Sequence, residues 1–408
     1  MRIWKVLFQI ATVCLFVNPI TLYLLIGHLL LSLVIPFGLV LITLSISRHP
    51  FLSRIQLYFF NLVVIIGIFY HAELIFRMSF PERDIPNLYE IRGKYYFNKP
   101  YLHENFNDEE YFSTYITNRQ GFRISEKENP DDTIDECDWL FLGDSFTQGA
   151  QVNYTDLYTT KTYQYFPDKI ILNAGISGYS IVDALNYYIS EGHKLKPSKV
   201  FLQVCIFNDF MKVKENRIGV MEYMIQYSSL YHYLFYNTQY INPADLPLGR
   251  WTEPFYLTEE KNKDYNIFYK KTSVQKEEDI RLLIYYLSEF KKETTKNNSD
   301  LCILLIPTKE QISYKYYKEV IDSFDIKETD LDMHYPNRLI DSLSHTLNFE
   351  LIDLYDPFRK NEFFPFFRDD EHLNNYGHRI IAESIAQTYE KGANAYRYLT
   401  TGNNRDRY

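Results

Sequence analysis

Two stretches of the chain hold side chains that could do nucleophilic chemistry together. In the first, Trp139-Leu-Phe-Leu-Gly-Asp-Ser-Phe-Thr-Gln-Gly149, an apolar run ends at Gly143 and Ser145 opens the turn that comes next. A serine at a strand's carboxyl end presents its hydroxyl outward. Its N–H stands at a helix N-terminus, where developing negative charge is stabilised. The plainer alternative is a serine that caps its helix. In the second stretch, Arg368-Asp-Asp-Glu-His-Leu-Asn-Asn-Tyr-Gly-His378, Asp369 and His372 stand three apart, ahead of an amphipathic segment. One helical turn brings such a pair together. A carboxylate on one imidazole nitrogen fixes the tautomer and leaves the other nitrogen to take a proton from serine. Residues two apart on a helix point in different directions, so Asp369 rather than Asp370 is the expected orienting group. Asp and His near helix starts are often caps, and neither stretch decides alone.

Something must hold the two stretches together. Short apolar runs at Trp139–Leu142, 170–172, 200–206, 301–306 and 349–354 alternate with helical patterns at 181–195, 275–296, 310–322, 335–347 and 375–390. Strands separated by helices imply a parallel sheet with right-handed crossovers, and in such α/β sheets the site lies at the carboxyl ends of the strands. Ahead of this, residues 88–97 alternate around Arg92-Gly93 and predict a hairpin. The stretch 211–272 breaks the alternation. It is unusually aromatic, with Tyr223, Tyr227, Tyr231, Tyr233, Trp251 and Phe255 among others, and its length suggests a functional loop or cap.

The N-terminal part is of another kind. Residues 6–47 contain no Lys, Arg, Asp or Glu, and residues 55–76 contain only Glu73. A membrane span takes about 20 apolar residues, so about three transmembrane helices are expected. Arg2, Lys5, Arg48 and Arg54 flank the spans on one side, which places the N-terminus inside and everything after Arg77 outside the cytoplasm. The expected organisation is a transmembrane region (1–77), a juxtamembrane region with a β-hairpin (78–130), and a catalytic domain (131–408) carrying the insertion 211–272. Residues 1–77 carry five basic residues and one acidic one. With a net charge of −9 for the whole chain, −13 falls on the remainder, which argues against nucleic acid as a partner. Cys137, Cys205 and Cys302 lie in or beside apolar runs and read as buried free thiols. There is no CxxC and no zinc-ligand spacing. No metal or organic cofactor is implied.

Taken together, the motifs resemble the SGNH (GDSL-like) hydrolase superfamily over about residues 133–392. The first block is Gly143-Asp144-Ser145 through Gly149. The second is the glycine-bearing Asn173-Ala-Gly-Ile-Ser-Gly178, the third Asn208-Asp209. The last is Asp369 and His372 with Leu373, Asn374, Gly377 and His378. Upstream, Asn118-Arg-Gln-Gly-Phe-Arg123 looks like the lead-in of membrane-anchored relatives. The resemblance implies a flavodoxin-like three-layer sandwich. It implies Ser145 as nucleophile, His372 as general acid/base and Asp369 as its orienting carboxylate. It further implies an oxyanion hole built from the N–H groups of Ser145 and Gly178 and the side-chain amide of Asn208. Gly175 is the runner-up for the second donor, and Asp144, Asp209 and His378 are scaffolding. The chain departs from the family pattern at Ile206, where a glycine is usual. The Asp-His pair comes after the serine, unlike in alginate-type O-acetyltransferases. Lys309, at the end of the fourth strand, reads as a solvated surface lysine sooner than as a contact for an anionic substrate.

The activity so implied is an extracytoplasmic serine ester hydrolase acting on a short acyl group of a glycan or lipid. O-acyl transfer to a cell-surface polysaccharide by the same triad is an alternative. A non-catalytic glycan-binding or assembly protein is another.

Overall fold

In the computed structural model of the chain the described residues are 10, 17, 22, 29–48, 53–79, 88–93, 95–206, 208–210, 213, 228, 230, 231 and 265–389. The chain divides into two compact units, Met1–Asn87 with Gly219–Leu248, and Leu88–Ile218 with Gly249–Tyr408.

The second unit is built on a parallel sheet of five strands: β6 (Trp139–Leu142), β7 (Ile171–Asn173), β8 (Lys199–Cys205), β9 (Asp300–Ile306) and β10 (Glu350–Asp353). They lie in the order β7-β6-β8-β9-β10, every pairing parallel. Strand order therefore reverses beside β6, the strand that leads into Ser145. This is the switch point at which open α/β sheets place their sites.

The strands' two-residue period divides their side chains between two cores. Leu140, Leu142, Val200, Leu202, Val204, Leu301, Ile303 and Leu305 face one core, which is covered by helices carrying Leu185, Leu287, Val320 and Ile340. Trp139, Phe141, Phe201, Cys205, Cys302, Leu304 and Ile306 face the other, covered by Tyr158, Phe358, Ile381 and Ile385. Runs apolar on both faces are what a sheet sandwiched by helices requires. The result is a three-layer α/β architecture.

Helix boundaries obey local chemistry. Tyr335–Leu347 carries Pro336 in its first turn and ends on Asn348 in the left-handed region (φ 55°). Ser180 and Asp183 form a capping box that starts Ile181–Ser190. The expected helix at 181–195 is shorter, because a 3₁₀ turn takes over at Gly192–Leu195. The one expected at 310–322 is split at Ser313 into Lys309–Ile312 and Tyr314–Ser323.

Ahead of the sheet, β1 (Tyr89–Arg92) and β2 (Tyr95–Asn98) form an antiparallel hairpin with Gly93 at φ 70°. Next comes a three-stranded antiparallel sheet: β3 (His103–Asn107), β4 (Phe112–Thr117) and β5 (Arg123–Ile124). The sequence showed the hairpin but not this sheet.

In the first unit, α1 (Leu29–Arg48) and α2 (Ser53–Ser79) are the long helices. Three membrane spans were expected here. Among the described residues no helix is long and apolar enough to cross a membrane. The first expected span, over roughly residues 6–27, lies almost wholly outside the described residues. So does most of the aromatic stretch 211–272, including Tyr223, Tyr227, Tyr233, Trp251 and Phe255. Within it, the Ser228 hydroxyl and the Leu230 N–H donate to the Glu73 carboxylate of α2, at 2.7 and 2.9 Å.

Candidate active site

The nucleophile turn is fixed from several sides. β6 ends at Leu142, and the short helix Ser145–Gln148 begins at once, capped by Asp144, whose side chain accepts the Phe146 N–H at 2.9 Å. From β8, Gln203 Oε1 accepts the Asp144 N–H and the Thr147 hydroxyl, each at 3.0 Å. A Cβ on Gly143 would stand 2.3 Å from that same oxygen, so only glycine fits between strand and turn. Ser145 occupies the first helical position, where the N–H has no intrahelical partner.

The Ser145 hydroxyl donates to His372 Nε2 at 2.7 Å. Across the ring, Nδ1 donates at 2.6 Å to Oδ1 of Asp370, not of Asp369. The expected orienting residue is thus corrected by one position. The expectation rested on helical geometry and on the resemblance alike, but residues 368–372 form a bend, and the helix starts only at Asn375. In that bend Asp370 Oδ1 also accepts the backbone N–H of His372 at 2.7 Å. This i to i+2 bond is the Asx turn. It folds the carboxylate back over the imidazole two residues on. Asp369 turns away, its carboxylate half exposed and paired with the Arg368 guanidinium at 2.5 Å.

Charge reinforces the geometry. Burial disfavours the imidazolium of His372. The Asp370 hydrogen bond and the negative charges of Asp370, Asp144 and Glu371 outweigh it and hold its pKa above the ordinary histidine value. Burial likewise opposes the Asp370 carboxylate, yet its bonds and charge pairing with His372 keep its pKa below the usual range. Both shifts favour the ion pair that forms when His372 takes a proton.

The other expected donors differ in their surroundings. Gly178 comes after β7, exposed, at φ 79°. The Tyr96 hydroxyl of β2 donates to the neighbouring Ser177 carbonyl at 3.2 Å. Gly175 has its N–H committed to Asn173 Oδ1 at 2.9 Å, and it is packed so closely on Thr147 and Gln148 that no Cβ fits. Asn208 Nδ2 donates to Asp144 Oδ2 at 2.8 Å, beside the nucleophile. At the departure from the family pattern, Ile206 is buried and its N–H stays in the ladder with Ile306 O at 3.0 Å, so the strand needs no glycine there.

The scaffolding residues have structural partners. Asp209 accepts the Cys205 N–H at 2.7 Å and closes the turn after β8. His378 Nδ1 accepts the Tyr158 N–H at 3.2 Å. Burial, aided by the charges of Arg123 and Lys161, pushes its pKa down to about 3 and keeps the ring neutral. Asn374 carries the motif's capping role, taking the Tyr376 and Gly377 N–H groups while donating to the carbonyls of Phe364 and Phe366. A Cβ on Gly377 would stand 2.3 Å from the Pro365 carbonyl.

Two features were misread or missed. Lys309 is not a solvated surface lysine. It is fully buried, and its Nζ donates to the Arg368 carbonyl at 3.0 Å. Arg123 of β5 is buried too, and its guanidinium donates to the carbonyls of Thr114, Gln148, Gly149 and Val152. It ties the antiparallel sheet to the end of the nucleophile turn. The sequence marked Arg123 as the end of the Asn118–Arg123 motif but gave no sign of this role.

No protein-family model and no curated protein matches the chain. Among solved structures the chain is similar to a GDSL-like lipase from Bacteroides thetaiotaomicron, at 12% identity, covering 61% of this chain and 86% of that one, with a TM-score of 0.33. It is similar to an acetyl-xylooligosaccharide esterase from Geobacillus stearothermophilus, at 15% identity over 64% and 98%, TM-score 0.35. It is also similar to an acetyl xylan esterase at 17% identity over 62% and 99%, TM-score 0.34. Likenesses this distant carry no argument about the chemistry of this chain, which rests on its own side chains.

Proposed function

We propose that this chain is a serine ester hydrolase of the SGNH type, working through an acyl-enzyme on Ser145. The observation that carries the reading is the unbroken line of hydrogen bonds from Asp370 through His372 to Ser145, at 2.6 and 2.7 Å, mounted at the switch point of a parallel sheet.

That line dictates the chemistry. His372 Nε2 takes the Ser145 proton as Oγ attacks the ester carbonyl. The imidazolium so formed is stabilised by Asp370. Negative charge on the carbonyl oxygen is met by the Ser145 N–H at the helix start, by Gly178 N–H, and by Asn208. A carboxamide has two N–H bonds. Asp144 takes one, which fixes the side chain, and the other serves the oxyanion. His372 then protonates the leaving alcohol and activates the water that releases the acid.

Ser145→Ala should remove hydrolysis of an aryl acetate while the purified protein stays folded. A fluorophosphonate should label wild-type Ser145 and not the variant, as read by mass spectrometry. A variant retaining more than a few per cent of wild-type turnover would sink the assignment. A short acyl ester of a glycan or lipid is the substrate class we favour. Free acetate as the product supports hydrolysis, whereas acetate appearing on a sugar acceptor identifies transfer.

We also read the N-terminal region as a membrane anchor with the catalytic unit outside the cytoplasm. The absence of charged residues over 6–47 supports this; α1 and α2, neither of them long and apolar enough to cross a membrane, add apolar surface at Leu30, Phe37, Leu62, Ile66 and Phe69. A reporter active only outside the cytoplasm, fused after Tyr408, should be active. Activity only of a cytoplasmic reporter overturns this reading and leaves the triad untouched.

A further inference from the structure

Asp370 sits in a bend with no regular secondary structure, yet its carboxylate must meet His372 to within tenths of an ångström. What holds the bend comes from far away in sequence. Glu110 lies in the turn between β3 and β4, a turn closed by the Asp108 N–H on the Tyr111 carbonyl at 2.9 Å and by the Glu110 N–H on Asp108 Oδ1 at 3.2 Å. Its Oε1 accepts the Arg368 N–H at 2.6 Å, and its Oε2 accepts those of Asp369 at 2.8 Å and Asp370 at 3.2 Å. Three successive N–H groups converging on one point form an anion-binding concavity. Here the chain's own carboxylate fills it.

The opposite side of the same backbone is held as well. The Arg368 carbonyl accepts from Lys309 Nζ at 3.0 Å and from the Tyr316 hydroxyl at 3.2 Å. The Phe367 N–H closes on the His372 carbonyl at 3.0 Å, and the Tyr111 ring packs against Phe367 with centroids 5.1 Å apart. Residue 368 is thus gripped by an anion on its N–H and a cation on its carbonyl, two residues ahead of Asp370. Charge-assisted bonds are the short, strong kind.

We propose that Glu110 is a positioning residue for the triad. By ordering the N–H groups of residues 368–370 it sets the place of the Asp370 carboxylate, and through Asp370 it sets the orientation and basicity of His372. The antiparallel sheet ahead of the α/β core is on this account part of the active site. The proposal rests on the ester-hydrolase reading only for its kinetic consequence.

The test uses the full-length protein with Glu110→Ala, Glu110→Gln and Glu110→Asp, and two readouts. Kinetically, with an aryl acetate, Glu110→Ala should lower kcat on the order of ten- to a hundredfold with KM little changed, as misplaced catalytic groups do. Glu110→Gln offers one acceptor oxygen to three donors and should fall between. Glu110→Asp, which keeps both oxygens, should recover the most. Independently of turnover, NMR titration of His372 should show a lower imidazole pKa in Glu110→Ala and Glu110→Gln, and loss of the far-downfield Nδ1 proton that marks the Asp370 bond. A wild-type His372 pKa and Nδ1 signal in Glu110→Gln overturns the proposal, whether or not the protein hydrolyses esters. If Glu110→Ala does not fold, the Gln and Asp variants decide. A wild-type protein that hydrolyses no ester, but whose His372 signals respond to Glu110 in this way, sinks the esterase reading and leaves the positioning role standing.

Discussion

The nucleophile turn and the histidine bend are the two halves of one site, and they are built in different ways. Residues 143–149 take their course from elements adjacent in sequence, a strand that ends, a helix that starts and an Asp144 cap one residue from Ser145, and distant residues such as Gln203 and Arg123 only brace a turn already set. Residues 368–372 are held by Glu110, Lys309 and Tyr316, which lie tens to hundreds of residues away. A locally built turn can be read from its own residues, because strand, cap and glycine each leave a mark in sequence. A bend held by distant partners cannot, because its conformation belongs to contacts that no short window contains.

Asp370→Ala is the harshest test of the second half. It removes both the acceptor on Nδ1 and the counter-charge for the imidazolium, and kcat/KM should fall about 10³- to 10⁴-fold, as in other triads that lose their carboxylate. Asp370→Asn should fall nearly as far, because an amide oxygen can keep the two His372 bonds that Oδ1 accepts here but supplies no counter-charge and lets the imidazole take the wrong tautomer. The sign of the pH effect is fixed too. Asp370 raises the pKa of His372, so the wild-type acid limb lies above the ordinary histidine value of about 6.5. Catalysis needs the neutral ring. Removing Asp370 lowers that pKa, so the acid limb of kcat/KM should move to lower pH even as the plateau drops. An unmoved limb would mean that the carboxylate does not govern His372.

The same contrast explains what the sequence could tell. Trp139–Leu142 and Tyr335–Leu347 lie where the apolar pattern put them, since burial on both faces and a proline-to-asparagine bracket are local signals. Ser145 and His372 come together because each closes a motif tied to an element end. The choice of Asp369 failed because a helical period was applied to residues that precede the helix, and the resemblance pointed to the same residue while the bend brings its neighbour to the imidazole. Lys309 was misjudged because a lysine after a strand is usually solvated, and only the fold shows the Arg368 carbonyl waiting above it. Gln203 and Glu110 left no trace, being single polar residues whose partners lie 56 to 260 positions away, and Arg123 was seen only as the end of a motif, without its role.

Asn208→Ala sharpens the first half. The amide's tie to Asp144 fixes it beside Ser145, and loss of one oxyanion donor costs roughly 10²- to 10³-fold in kcat. The fluorophosphonate should still label Ser145 in this variant, though more slowly, because the nucleophile and its base are intact. A wild-type kcat would assign Asn208 to holding Asp144 alone.

The smallest effect is the most discriminating. Asp369 and Asp370 are adjacent, of one type, and both within reach of His372 on paper. In the structure one carboxylate is three-quarters covered and bound to the imidazole, whereas the other is about half exposed and bound to an arginine. The Arg368 guanidinium, ahead of burial, holds the Asp369 pKa below the usual carboxylate range. A pair so open to solvent contributes little, because water and salt screen it. The backbone N–H of residue 369, which Glu110 does hold, survives the change. Asp369→Asn should therefore leave kcat within about twofold of wild type, the acid limb in place, and stability little changed. Measured beside Asp370→Asn on the same aryl acetate, it separates two geometries that composition cannot. A crippled Asp369→Asn with a silent Asp370→Asn would overturn the assignment of Asp370 as the orienting carboxylate.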